Sequence, residues 1–172
     1  QITPSPARLR PLRAALLGGA CLGALAMFEP DAARAQEGPF AYVPNSGDGT
    51  VSVIDTSTNT VAPTALPVGL FPVAAAVRGD QSLVYVTNLG GNTVSVINTA
   101  TNTTVATIAV GNAPQPLAVS PDGTRVYVPN QGSDTVSVIN TVTNTVTATI
   151  AIASGAQPVG VGVTPDGGRV YV

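Results

Sequence analysis

The chain contains no histidine, lysine or tryptophan, and its one cysteine, Cys21, lies near the N-terminus. Charged residues make up only 9% of the 172 residues. General acid–base and nucleophilic catalysis usually rely on His, Lys, Cys or a perturbed carboxyl group. Of these, only carboxyl groups occur after residue 35, and no Ser-His-Asp set, phosphate-binding loop or haem motif is present. The sequence therefore predicts no catalytic residue and no cofactor in this stretch.

Acidic residues outnumber basic ones after residue 35. Three arginines and seven acids give residues 36–172 a formal charge of −4. Proteins that bind nucleic acid or an anionic membrane surface usually present a basic patch, so we expect neither partner. Calcium takes about six to eight oxygen ligands, commonly from carboxylates close in sequence, whereas the acids here occur one to a loop. We therefore expect no metal site.

The first 35 residues have the pattern of a cleaved signal peptide. Arg8, Arg10 and Arg13 precede an uncharged, mostly apolar run at 14–28, and Ala33-Arg34-Ala35 has the form of a cleavage site. We predict cleavage after Ala35, export to the periplasm, the cell surface or the medium, and no membrane span in the mature chain. Two less favoured alternatives are a transmembrane anchor, for which the run is shorter than the usual ~20 residues, and a lipoprotein acylated at Cys21.

A short sequence motif recurs through the rest of the chain. All four tyrosines, at positions 42, 85, 127 and 171, begin Tyr-Val, and the intervals between them are 43, 42 and 44 residues. The first three copies are followed at a fixed offset by Val-Ser-Val-Ile, which starts at Val51, Val94 and Val136. A period in the low forties filled with short β-rich segments is typical of propeller blades, each a four-stranded sheet.

We name the strands of each blade a to d from the propeller axis outward. The predicted fold class is an all-β propeller of four-stranded antiparallel blades, here an incomplete arc of two full and two partial blades. The body spans residues 36–172: strands b–d of blade one at 40–68, blade two at 73–110, blade three at 116–152 and the start of blade four at 158–172. We expect either further blades of the same chain, of which this would be a fragment, or other copies to close the ring.

The predicted a–b connections are tight turns. Pro121-Asp122-Gly123 and Pro165-Asp166-Gly167 supply the proline and the left-handed glycine that such turns favour. The equivalent stretch in blade two is Arg78-Gly79-Asp80. An adhesion motif of the Arg-Gly-Asp type is the alternative interpretation, but the turn already accounts for these residues.

The candidate ligand-binding residues lie on the face formed by the b–c loops and the d–a connections. An asparagine begins each b–c loop, and the d–a connections carry a large residue beside a proline; the residues are Asn45, Asn88, Asn130, Phe71, Gln115 and Gln157. Loops on a rigid scaffold are common binding sites, so this face is predicted to bind a protein or a polar ligand. The alternative is structural, with Asn ending strand b through its own backbone and Pro fixing the link between blades.

The phrase Tyr85-Val86-Thr87-Asn88, with Val94-Ser95-Val96-Ile97-Asn98 and Pro121-Asp122-Gly123 around it, resembles the YVTN-type β-propeller repeat of bacterial and archaeal surface-layer and exported proteins. The resemblance covers about residues 40–172, although two copies read Tyr-Val-Pro-Asn. It implies a propeller, commonly of about seven blades, closed by strands shared between the chain ends. It implies no single activity.

These observations favour an exported binding or surface scaffold. One alternative is a lactonase-like hydrolase with its catalytic residues in blades downstream of this sequence. Another is an exported propeller that binds nucleic acid, which the acidic body disfavours.

Overall fold

The computed structural model describes residues 39–172; the predicted signal peptide, its cleavage site and the first residues of the predicted body lie outside this range. The described residues form strands and turns, with no α-helix and a single 3-10 turn at Gln131–Ser133. The strands, in chain order, are β1 Phe40–Asn45, β2 Thr50–Asp55, β3 Thr60–Val61, β4 Leu66–Pro67, β5 Pro72–Val77, β6 Leu83–Asn88, β7 Thr93–Asn98, β8 Thr103–Ala109, β9 Ala118–Val119, β10 Arg125–Asn130, β11 Thr135–Asn140, β12 Thr145–Ala151, β13 Gly162–Val163 and β14 Val170–Tyr171.

These strands form four antiparallel sheets. Two are complete, in the orders β5-β6-β7-β8 and β9-β10-β11-β12, and their strands correspond to a, b, c and d. In the first sheet β1 pairs with β2, and the two short strands β3 and β4 both pair with β2. The fourth sheet contains only β13 and β14. The predicted fold class, an all-β arc of four-stranded propeller blades with two full and two partial members, is confirmed.

Blade two is buried on both faces because it lies between blades one and three. Val84 and Val86 of β6 pack with Val51 and Val53 of the first sheet. Tyr85, between them in sequence, points the other way and joins a cluster with residues of β10 and β11. Alternate side chains of a strand point to opposite faces, so a continuously apolar strand fits a sheet covered on both sides. Each fully buried Val or Ile contributes about 1.5–3 kcal/mol.

The strands at the margins are shorter than the sequence patterns predict. The d strand expected at 60–68 is interrupted between β3 and β4, around Pro63, which has no N–H to donate to the ladder. The a strands expected at 116–120 and 158–164 shorten to β9 and β13. Proline and glycine in these segments weaken the pairing that the β-branched residues favour.

The a–b turns have the predicted chemistry with one difference. Gly123 and Gly167 adopt the left-handed conformation, with φ of 68° and 70°. In blade two the left-handed residue is Gln81, with φ of 60°, and its N–H donates to the carbonyl of Arg78 over 2.8 Å. Gly79 is thus not the left-handed residue of its turn. Among the described residues, no helix is both long and apolar enough to cross a membrane.

Candidate functional site

Two kinds of connection meet at one end of the blades, which we call the loop face. It consists of the b–c loops 45–50, 88–93 and 130–135 and the d–a links 68–72, 110–114 and 152–158. Each link contacts the b–c loop of its own blade, as in the 2.9 Å hydrogen bond from Val68 N to Gly49 O. The first two links also contact the b–c loop of the next blade, as in the 2.9 Å bond from Leu89 N to Phe71 O. The loops therefore form one connected platform.

The side chains of the three predicted asparagines hydrogen-bond to strand c at the base of the b–c loops. The side-chain amide of Asn88 donates to the hydroxyl of Thr93 at 3.0 Å and to that of Ser95 at 2.9 Å. Asn130 makes the equivalent bonds to Thr135 and Ser137, and Asn45 to Thr50 and Ser52, at the same distances. Asn88 and Asn130 are fully buried. The amide nitrogens therefore hold strand b to strand c through side-chain hydroxyls, a partner that differs from the backbone bond expected in the structural alternative.

Two of these asparagines lie against glycines of the preceding link. Asn88 Oδ1 accepts a hydrogen bond from Gly69 N at 3.2 Å. A Cβ at Gly69 would lie 2.7 Å from Cγ of Asn88, and one at Gly111 would lie 2.6 Å from Cγ of Asn130. These distances are shorter than any normal contact, so both positions require glycine. Asn88 thus joins its own hairpin to the link from the previous blade through a hydrogen bond, whereas Asn130 meets its link through packing against Gly111.

The d–a links share a Gly-x-x-Pro pattern. This pattern shows that one predicted residue, Gln115, does not occupy the position equivalent to Phe71 and Gln157. Phe71 and Gln157 have φ of 49° and 46°, and each precedes a buried proline, Pro72 or Pro158. The residue in the same place in the middle link is Ala113, with φ of 50°, before the buried Pro114. Gln115 was predicted to occupy this position, and that equivalence is wrong.

Gln115 lies two residues further along. Its N–H donates to the carbonyl of Pro129 at 2.8 Å, and its side-chain amide donates to Gln131 Oε1 at 2.8 Å. The stretch Ala113-Pro114-Gln115-Pro116 contains two prolines, so a position beside a proline does not by itself show which one packs. The three-residue spacing from Gly69, Gly111 and Gly155 identifies the right one.

Two further residues, Asn92 and Asp134, connect a b–c loop to a d–a link, a role that the sequence analysis does not predict. Asn92 Oδ1 accepts a hydrogen bond from Ala113 N at 2.9 Å. Asp134 accepts 2.8 Å bonds from the N–H groups of Gln157 and Gly155, and these bonds lower the pKa of its carboxyl group. Both residues are left-handed, with φ of 52° and 50°. Each ties a b–c loop to the link about 20 residues later.

The residues exposed on top of this platform differ from link to link. The two positions between the glycine and the proline hold Leu70-Phe71, Asn112-Ala113 and Ala156-Gln157. Leu70 is 66% and Phe71 58% exposed. A Cβ at Gly90 would lie 2.5 Å from Cδ2 of Phe71, so the ring rests on the backbone of Gly90. Within residues 39–172, no group of three or more His, Cys, Asp or Glu is placed to hold a metal ion.

The opposite end of the blades contains a groove of about 290 Å³ between the a–b turns of blades two and three. Arg78 Nε and Nη2 donate to the carboxylate of Asp80 at 2.8 and 2.6 Å, so the two charged groups pair within the turn. The bond from Arg78 holds the pKa of Asp80 well below its usual range. This pairing favours the turn over the adhesion motif as the reason for Arg78-Gly79-Asp80.

Comparisons with known proteins agree with this architecture. The family model of the YNCE-like beta-propeller matches residues 59–171. A solved structure of hydrazine synthase from Kuenenia stuttgartiensis superimposes with a TM-score of 0.72 and 28% sequence identity, and the match covers 76% of this chain. It covers 37% of the hydrazine synthase chain, so this sequence spans little more than a third of that protein's length. No curated protein matches the sequence.

Proposed function

Because this chain belongs to the YNCE-like beta-propeller family, we propose that it is an exported binding scaffold whose loop face recognises a protein segment or a polar ligand. Within the family we place it with the YVTN-type repeats of exported and surface-layer proteins, on the strength of Tyr85-Val86-Thr87-Asn88 and its copies. Export rests on the charged start, apolar run and Ala33-Arg34-Ala35 of the first 35 residues.

One observation supports the binding role. On the loop face, the residues that hold the loops together recur from blade to blade, whereas the residues between the glycine and the proline of each link differ. The buried asparagines, the glycines against them and the buried prolines recur from blade to blade. The pairs between glycine and proline are Leu-Phe, Asn-Ala and Ala-Gln, and every one of these residues except the partly buried Ala113 is exposed. A position that serves only the fold is expected to keep its residue in each repeat, whereas binding residues on a scaffold are free to vary.

The likeness to a chain of hydrazine synthase, over 37% of that chain, supports the idea that such a propeller can be one part of a larger protein. A non-catalytic binding surface would suit that arrangement, because it would need only to hold a partner in place. We assign no catalytic step to the residues described.

Probing the full chain with peptide and glycan arrays tests the proposal. We expect one class of ligand to bind, and at least one substitution among the exposed loop-face positions, Leu70→Ser, Asn112→Ser or Gln157→Ser, to weaken it. Matched substitutions at the opposite end, such as exposed Thr124→Ala beside the groove of blades two and three, should leave binding unchanged. Binding that responds only to the second group would place the site at the wrong end and contradict the proposal.

A further inference from the structure

The link between blades one and two differs from the other links in a way that the fold does not require. All three links contain a left-handed residue before the proline, and at the other two it is Ala113 or Gln157. Neither is a large apolar residue. A non-glycine residue at positive φ is uncommon, and a bulky one more so. Phe71 is therefore not needed for the turn, and the repeats provide the comparison that shows it.

Leu70 and Phe71 are nonetheless held in a fixed arrangement. The carbonyl of Leu70 accepts a hydrogen bond from Gly90 N at 3.1 Å, and that of Phe71 accepts one from Leu89 N at 2.9 Å. The Phe71 ring lies on Gly90, where only glycine leaves room for it. A ring fixed on one face and exposed on the other loses little conformational freedom when it binds a partner.

A carboxylate occurs in a loop that packs on this link. The b–c loop of blade one contains the exposed Asp48. Its neighbours pack on the same link, because Ser46 Oγ donates to Pro72 O at 2.7 Å and a Cβ at Gly49 would lie 3.3 Å from Gly69 O. Arg78, Arg125 and Arg169, the arginines of residues 39–172, all lie at or beside the a–b turns at the other end of the blades. The loop face is therefore apolar and acidic here, with no basic side chain.

We propose that Leu70, Phe71 and Asp48 form a recognition site for an extended segment of another protein that carries an apolar side chain flanked by lysine or arginine. The inference rests on the proposed function and specifies its partner. The apolar side chain covers the exposed ring and Leu70, as aromatic anchors do in protein interfaces. The flanking cation complements Asp48 and speeds encounter.

Selection of random peptides displayed on phage against the immobilised full chain tests this site. We expect enrichment of Leu, Phe or Trp flanked by Lys or Arg. The matched variant is the double substitution Leu70→Asn and Phe71→Ala, which copies Asn112-Ala113 and so keeps a pair that this fold already accepts. The selected peptide should bind this variant at least about tenfold more weakly, while Asp48→Asn should weaken binding severalfold and flatten its salt dependence.

Val142→Asn is the control, because Val142 is 82% exposed at the opposite end and its loss should not affect the peptide. If enriched peptides bind the double variant as tightly as the natural chain, this site is wrong although the binding role stands. If no peptide is enriched but a glycan binds the loop face, the partner class is wrong. If sedimentation shows self-association that the double variant abolishes, a second copy occupies the site and the proposed partner is wrong.

Discussion

The side chain of Asn88 connects three parts of the chain. Its amide nitrogen bonds the hydroxyls of Thr93 and Ser95 on strand c, and its oxygen accepts from Gly69 in the link from the previous blade. A buried polar group without a partner destabilises a fold, and all three partners lose a bond if Asn88 is shortened. This explains why the b strands end in asparagine without any need for ligand contact.

We expect Asn88→Ala to reduce the free energy of unfolding by about 1–3 kcal/mol, because it removes the bonds to the buried hydroxyl of Ser95 and the partly buried hydroxyl of Thr93. Asn45→Ala is the control, since Asn45 makes the same two hydroxyl bonds but is only partly buried. Its smaller loss should be visible in urea unfolding followed by circular dichroism. Equal losses in the two variants would show that burial of the amide does not increase its contribution to the free energy of unfolding.

The aspartates of the turns should make the protein sensitive to acid. Hydrogen bonds from the side chain of Ser120 and from Thr124 lower the pKa of Asp122 from the ordinary 3.8 to about 2, and Asp55, Asp134 and Asp166 also have lowered pKa values. The unfolded chain therefore binds more protons than the folded one in this range. The stabilisation is fully present above about pH 4 and is lost as the pH falls towards 2.

Urea unfolding at pH 7, 4, 3 and 2 measures this loss. Asp122→Asn keeps an acceptor for Ser120 and Thr124 but does not titrate there, so its stability should fall less between pH 4 and 2. If the stability of this variant falls as steeply between pH 4 and 2 as that of the natural chain, protonation of Asp122 does not cause the loss of stability in acid.

The d–a link is the element that sets the spacing of neighbouring blades. Its glycine lies against the asparagine of the next blade, its left-handed residue turns the chain, and its proline pairs with the end of the next b strand. These contacts bring the two blades close enough for Val51, Val53, Val84 and Val86 to share one core.

Gly69→Ala should therefore destabilise the protein by about 1–3 kcal/mol, the usual cost of overpacking, because the new methyl group would overlap Asn88. The control is Gly47→Ala, where a Cβ would have no atom within 4 Å. Thermal unfolding compares the two. A Gly69 variant as stable as the control would show that the link can move away from Asn88 at little cost.

The outer strands β8 and β12 contain neither charge nor proline, the residues that usually protect an exposed edge. Each instead has an irregularity in its pairing with strand c, where Val105 and Thr147 are extra residues that face no paired residue on that strand. Such bulges bend an edge strand and disrupt continuous pairing with another chain.

The blades could be predicted because their signals are local and repeated. Tyr-Val at a steady interval and Val-Ser-Val-Ile at a fixed offset locate strands b and c in each copy. The roles of Asn92 and Asp134 could not be predicted, because they depend on a left-handed backbone and on a link 21 or more residues away. The prediction for Gln115 is wrong because Pro114 and Pro116 both follow a candidate link residue, and the Gly-x-x-Pro spacing that the three links share selects Pro114.

At the level of the whole chain, the basic side chains of the described residues all lie at one end of the blades. The arginines of the described residues lie at or beside the a–b turns, whereas Asp48, Leu70 and Phe71 lie on the loop face. A partner approaching the two ends would therefore meet different chemistry. Together with the loop-face positions that differ between repeats, this difference favours recognition at the loop face.

Export is tested by expressing residues 1–172 behind an initiating methionine in a Gram-negative host. We expect a mature chain that begins at Gln36 in the periplasm or medium, read by mass spectrometry. Ala35→Leu, which removes a small residue from the cleavage site, should block processing. An uncut chain in the cytoplasm, or a chain acylated at Cys21, would contradict the signal peptide assignment.

The location of the binding site is tested most directly by amide chemical-shift mapping on the full chain with the tightest ligand from the arrays. We predict that the largest shifts fall on Asp48, on residues 69–71 and on residues 89–91, while residues 78–82 and 120–124 stay unchanged. Shifts confined to residues 78–82 and 120–124 would show that the groove at the opposite end binds the ligand, and would contradict a binding role for the loop face.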